Sequence, residues 1–161
     1  MPDVYIGLGS NLGNRTLHLA QGRNAIAARA GAIIHASSIY DTAPWGPVPQ
    51  ENYLNQVIQI STGLAPRELL ATLHEIERTA GRDRKREVRY GPRPLDLDIL
   101  LYGDRAVHED GLTIPHPRIA ERAFVLVPLA EIAPDLPIEG TTVRELMSRI
   151  DSKSVARYDP I

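Results

Sequence analysis

From Leu95 to Tyr102 aliphatic and acidic residues alternate, with Leu95, Leu97 and Ile99 set against Asp96 and Asp98. That period of two predicts a strand with both carboxylates on one face, about 6.6–6.8 Å apart along it, and the aliphatics burying the other. Elsewhere, Val4 to Leu8 reads as a first strand and Gly9 to Asn14 as a turn into a helix running to about Ala30, with Gly31 as its stop. A second strand is expected from Ile33 to Tyr40, and a third from Tyr53 to Ile60 with one face half polar. Pro66 suits a first helical position, and Leu69, Leu70, Leu73, Ile76 and Ala80 follow at three- and four-residue spacing, so a second helix should span Pro66 to Ala80. Between the second and third strands, three prolines within 42–49 demand a loop.

The order β-α-β-β-α-β predicts an α+β, ferredoxin-like antiparallel sheet with its helices packed on one face. A C-terminal helical extension is expected to follow: an extended link over Thr113 to Pro117, a mostly helical stretch from Arg118 to Glu131 interrupted by Pro128, and a last helix from Thr142 to Ile150. With 161 residues, a single domain over 1–161 is the simplest organisation. Hydrophobic residues make up 43% and charged residues 24%, with no apolar run near the roughly 18 residues of a membrane helix, so no membrane partner is expected. The N-terminus shows no signal-peptide pattern, which predicts a cytoplasmic protein. The absence of cysteine excludes disulfides, thiolate zinc sites and thiol nucleophiles.

A net charge of −2 argues against a globally basic surface, yet six of the 18 basic residues fall within 82–93. Such a run is a solvated loop, an RNA patch or a polyphosphate clamp. Only Tyr90 is interleaved with it, and arginine forks suit phosphate oxygens, so the clamp is favoured over nucleic acid. Directly beyond it stand the two acids. Like charges at close approach repel by about 4 kcal/mol at an effective dielectric near 20, and the apolar flanks place their strand centrally, where unpaired acids would be costly. Oxygen ligands few in number suit Mg²⁺, which keeps several waters and shares its octahedron with substrate phosphates.

Gly7, Gly9 and Gly13 give G-x-G-x-x-x-G, which fails the dinucleotide fingerprint, and no P-loop occurs. Gly9 and Gly13 are therefore read as turn residues, with Ser10, Asn11 or Asn14 as helix caps. His74 and Glu77, three apart on the second helix, share a face and taken alone would be surface residues. His116 is held extended between Pro115 and Pro117, and no zinc spacing occurs among the five histidines. Trp45, with Tyr53 and Asn55 on one face of the next strand, could form a slot in which a heteroaromatic ring stacks and an amide reads its edge.

Four ordered blocks, Tyr5–Gly13, Ile76–Glu77 with Gly81-Arg82-x-Arg84, Arg89–Leu100, and Ile114–Arg118 with Phe124-Val125-Leu126, resemble the 6-hydroxymethyl-7,8-dihydropterin pyrophosphokinase family from about residue 3 to 150. The resemblance implies ATP-dependent pyrophosphoryl transfer to the hydroxymethyl group of a reduced pterin, with release of AMP, in folate biosynthesis. It implies two Mg²⁺ ions on Asp96 and Asp98, and Arg82 and Arg93 stabilising the transferring group. His74, Glu77, Arg84 and Arg89 would contact ATP, together with Ile99, Thr113, His116 and Arg122. Thr42, Pro44, Trp45 and Tyr53 would line the pterin slot with Asn55, Tyr90 and Phe124. The expected partners are these small molecules alone, and a monomer is expected. A metal-dependent phosphodiesterase or nuclease, and a ferredoxin-like RNA-binding module, are the alternatives from other classes.

Overall fold

The computed structural model describes residues 1–44, 46–89 and 91–159. The chain runs β1 (Asp3–Ser10), α1 (Arg15–Arg29), β2 (Gly31–Ala36), β3 (Tyr40–Thr42), β4 (Tyr53–Thr62), α2 (Pro66–Thr79) and β5 (Asp96–Tyr102). Then come the hairpin β6 (Val107–Glu109) and β7 (Leu112–Ile114), α3 (Ala123–Ile132), the hairpin β8 (Pro137–Ile138) and β9 (Thr141–Thr142), α4 (Val143–Met147), and β10 (Val155–Arg157). The main sheet is antiparallel, in the order β10-β3-β4-β1-β5, with β2 also paired to β4.

Alternation along the strands sends their side chains to two separate cores. Ile6, Leu8, Ile58, Leu97 and Ile99 pack with Leu19 and Ile26 of α1 and Leu69, Leu73 and Ile76 of α2. On the opposite face Tyr5, Val57 and Leu100 meet Leu126 and Leu129 of α3 and Val143 and Leu146 of α4. Helices therefore cover both faces: the C-terminal extension is the second layer, where the β-α-β-β-α-β pattern led us to expect helices on one face. The last helix is short, α4 replacing the expected Thr142–Ile150 span, with the Thr142 hydroxyl accepting the Glu145 N–H at its start.

The expected 33–40 strand is broken in two. Ser37 interrupts it by donating its backbone N–H to the Val57 carbonyl while its Oγ accepts the Val57 N–H, so β2 and β3 lie in line along one edge of β4. β4 is largely buried on both faces, the polar Asn55 and Gln56 included, because it has strands on both sides and a helical layer above and below. The expectation of a central position for β5 is corrected: among the described residues β1 is its only partner in the sheet, which makes it the edge. Its apolar flanks are covered by helices instead of by a further strand, and an aliphatic run looks the same in either case. β1 likewise extends through Gly9 and Ser10, past the expected turn.

Candidate active site

The site stands on the α3 side of the sheet, and cross-strand register builds its floor. One row reads Asn55, Gly9, Asp96 across β4, β1 and β5, and the next reads Val57, Gly7, Asp98. Opposed residues in neighbouring strands lie about 4.5–5.5 Å apart, so glycine in the middle strand leaves a trough between the acids and the amide. A Cβ on Gly9 would lie 2.9 Å from Asn55 Nδ2 and 3.3 Å from Tyr53 Cδ1. Gly9 is therefore a packing requirement of the strand and not a turn residue. Gly13 (φ 71°) does turn, and Asn14 is the cap, its Oδ1 accepting the Leu17 N–H at 3.1 Å.

Two chambers open from this floor. The first is lined by Thr42, Tyr53, Asn55 and Phe124 on one side and by Arg93, Asp96, Asp98, His116 and Arg122 on the other. The second lies between α2 and the β6–β7 hairpin, with His74, Arg84, Asp98, Ile99, Thr113 and His116 in its wall. Asp98 and His116 belong to both, so the chambers meet at those two side chains.

Asp98 has no hydrogen bond or ion pair from any described residue, and burial first, then the charge of Asp96, push its carboxyl up to about 7. A cation would relieve both effects. Among the described residues no group of three or more acids, histidines and cysteines gathers into a metal cage. Asp98 with Asp96, whose Oδ1 also holds Arg82 and Arg93, fits Mg²⁺ completed by water and phosphate oxygens.

Burial and then Arg122 depress His116 to about 4, keeping the imidazole neutral. Its Nδ1 accepts the Arg118 N–H at 3.2 Å, which leaves Nε2 as the protonated nitrogen. Tyr53 is pushed up to about 12 by burial and then by Asp96, and stays a neutral phenol. Thr42 donates to Asn55 Oδ1 at 2.6 Å, fixing the amide so that its NH₂ lies beside Gly9.

Behind the acids lies a buried charge network. Gly81, with φ 100°, ends α2 in the left-handed conformation and turns Arg82 inward. The Arg82 side chain is only 2% exposed and donates to Glu77 (2.5 Å), Asp96 (2.8 Å) and both oxygens of Glu87 (2.9 Å each). Burial alone would lower this guanidinium; the bond to Glu87 and the charges of Asp96, Glu77 and Glu87 outweigh it and raise it. Glu77 is not the surface residue its helix position suggested. At 1% exposure it accepts from Arg82, from Arg84 (2.6 Å) and from the Leu97 backbone N–H (2.8 Å), between the two aspartates. That last bond caps an edge-strand amide that has no neighbouring strand.

The structure thus gathers most of the expected residues around the two chambers. Arg82 and Glu77 sit behind the floor, while Pro44 and the exposed Arg89 line neither chamber. Trp45 and Tyr90 lie outside the described residues. Two residues went unrecognised in the sequence. Asn11, read as a cap, is 2% exposed and ties two loops together: its Oδ1 accepts the Arg93 N–H at 2.8 Å and its Nδ2 donates to Gln50 Oε1 and the Glu51 carbonyl. The clue was a surplus of cap candidates, since one helix needs one cap. Glu87 was lost within its basic run, where a lone acid among arginines is itself a signal.

An acid at the junction of two chambers, with a second acid beside it and arginines in both walls, suits a two-substrate phosphotransferase, with a site for donor and acceptor on either side of the reacting group. A family model for 7,8-dihydro-6-hydroxymethylpterin-pyrophosphokinase (HPPK) matches residues 5–134. The 2-amino-4-hydroxy-6-hydroxymethyldihydropteridine pyrophosphokinase of Methylorubrum extorquens is 44% identical over 160 residues, covering 99% of this chain and 100% of its own. That of Bacillus subtilis is 45% identical over 140 residues, covering 86% and 83%. A mitochondrial folate synthesis bifunctional protein of Arabidopsis thaliana is 44% identical, covering 97% of this chain and 26% of that protein. In fold, a Plasmodium falciparum HPPK-DHPS chain superposes with a TM-score of 0.77 at 14% identity over 97% of this chain, which spans about half (48%) of that one. The chain belongs to the HPPK family: it is a diphosphotransferase that moves pyrophosphate from ATP to 6-hydroxymethyl-7,8-dihydropterin in folate biosynthesis. This sets aside the nuclease and RNA-binding alternatives.

Proposed function

We propose that the second chamber holds ATP and the first the reduced pterin, with the pyrophosphoryl group, the β- and γ-phosphates together, crossing between them at Asp98 and His116 as the bond from the α-phosphate breaks and AMP is left. The observation that carries this is that, among the described residues, the two chambers share those two and no others. His74, Arg84, Ile99 and Thr113 receive the base, sugar and outer phosphates, with Arg89 and Arg122 as further phosphate partners. Glu77 acts on the nucleotide through Arg84. Neutral His116 offers its Nε2–H to a phosphate oxygen, adding a donor without adding charge. Thr42, Tyr53, Asn55 and Phe124 hold the pterin, with Pro44, Trp45 and Tyr90 completing the slot.

Asp96 and Asp98 would together hold two Mg²⁺ ions, which would supply positive charge to offset that developing on the phosphates. Phosphoryl transfer of this kind depends on alignment and charge stabilisation, so a protein nucleophile is not required. Arg93, at the wall of the first chamber, and Arg82 behind it supply positive charge to the transferring group. The whole chain acts as one domain, as a monomer, in the cytoplasm.

The deciding experiment measures AMP release with and without hydroxymethyl-dihydropterin. Acceptor-dependent release that Asp98→Ala abolishes is expected; release that ignores the acceptor would overturn the reading.

A further inference from the structure

Arg82 cannot serve a substrate in the arrangement described. Its Nε and Nη2 are both engaged by the Glu87 carboxylate, and the same carboxylate lies 3.8 Å from Arg93 Nη2. Both arginines assigned to the transferring group are thus held by one anion supplied by the loop between them. The geometry is that of an arginine fork on a phosphate, with two parallel N–H···O contacts. Glu87 is 16% exposed, and the bond from Arg82 first, with the charges of Arg82 and Arg93, keeps it below the ordinary glutamate range.

We propose that Glu87 is a placeholder for the transferring phosphoryl group, a positioning residue that keeps Arg82 and Arg93 together in the free enzyme and yields them when Mg–ATP arrives. This rests on the function proposed above. Arg82 stays anchored when the exchange occurs, because Glu77 and Asp96 hold its Nη1 independently of Glu87. Only the outer half of the guanidinium changes partner. The loop bearing Glu87 is released in the same step, so occupancy of the phosphate site and freedom of the loop are one equilibrium. A ligand must then displace the carboxylate, and its apparent affinity is reduced by the fraction of enzyme in which Glu87 has let go.

The sign of the effect separates this from a structural role. If Glu87 only braced Arg82, removing its charge would loosen the arginine and weaken binding. As a competing anion, its removal strengthens binding. Uptake of α,β-methylene-ATP with Mg²⁺ is measured by calorimetry on the full chain for wild type, Glu87→Gln, Glu87→Asp and Asp83→Asn. Asp83→Asn is the control, because it makes the same charge change on the same loop at a residue paired with Arg86 and not with Arg82 or Arg93.

Glu87→Gln is expected to tighten binding about tenfold or more, the scale set by loss of a charge-assisted hydrogen-bonded pair. Asp83→Asn should leave it within twofold of wild type, and Glu87→Asp should fall between wild type and Glu87→Gln. Equal or weaker binding by Glu87→Gln, or an equal gain in Asp83→Asn, overturns the proposal. Should wild type itself take up no analogue and release no AMP with acceptor present, the underlying function fails and the placeholder with it. If wild type binds and turns over normally, only the placeholder is at stake.

Discussion

Replacing Glu77 by alanine tests whether a helix carboxylate really straps the catalytic strand. Three bonds are lost, to Arg82, Arg84 and the Leu97 N–H. The Leu97 amide faces the strand edge and has no other acceptor among the described residues, and leaving a buried N–H unpaired costs about 1–3 kcal/mol. Arg82 keeps Glu87 and Asp96, so only part of the roughly 3–5 kcal/mol for breaking a buried ion pair applies. Arg84 is half exposed and its bond counts for little. Against these losses, burial works to raise the Glu77 carboxyl, and removing a desolvated charge returns some stability. The net expectation is a loss of about 3 kcal/mol, or about 6–12 °C in Tm for a domain of this size. Urea and thermal unfolding followed by circular dichroism measure it, with an unchanged m-value confirming that the reference states have not moved. Glu77→Gln keeps an acceptor for Leu97 and should lose about half as much. Unfolding of Glu77→Ala within 1 kcal/mol of wild type would refute the reasoning and return Glu77 to the solvated helix face.

Further outcomes follow from the same geometry. Asp98 carries a folded-state pKa raised above its unfolded value, so it contributes stability at low pH that is lost as pH rises through about 7. In chelator-treated buffer Asp98→Asn should therefore melt above wild type at pH 8 and converge with it below about pH 4, while added Mg²⁺ should raise Tm only in wild type. His116 behaves in the opposite sense: its depressed pKa gives stability that is present above about 6.5 and lost as pH falls toward 4, a loss that His116→Asn should not show in an acid-unfolding series. Asn11→Ala removes the bonds to Arg93, Gln50 and Glu51, and should cut kcat for AMP release as well as lower stability by about 1–3 kcal/mol for the groups left unpaired. A fall in Tm without one in kcat would make Asn11 a purely structural tie.

The regular framework was legible because its periods are strong. Leu69, Leu73 and Ile76 mark the inner face of α2, and the Leu-Asp-Leu-Asp-Ile alternation fixed which way both acids point. The break at Ser37 was not legible, since it depends on the register of β4 and not on any breaker in the 33–40 stretch. The edge position of β5 was hidden because helical cover and strand cover demand the same aliphatic residues. Helical spacing put His74 and Glu77 on a common side, but only the tertiary contacts show that Glu77 is sealed beneath an arginine while His74 opens to a chamber. Asn11 and Glu87 escaped notice because their partners lie on loops that the chain brings together from 39 to 82 residues away, or because local composition favoured the opposite sign.

The bare backbone at Gly9 also offers a means of uncoupling the two halves of the reaction. A single methyl group there would press the Asn55 amide and the Tyr53 ring out of place, while the far compartment, lined from α2 and the β6–β7 hairpin, would be untouched. Such an enzyme would load its donor yet refuse its acceptor, a trapped half-complex from which the geometry of the waiting triphosphate could be read at leisure.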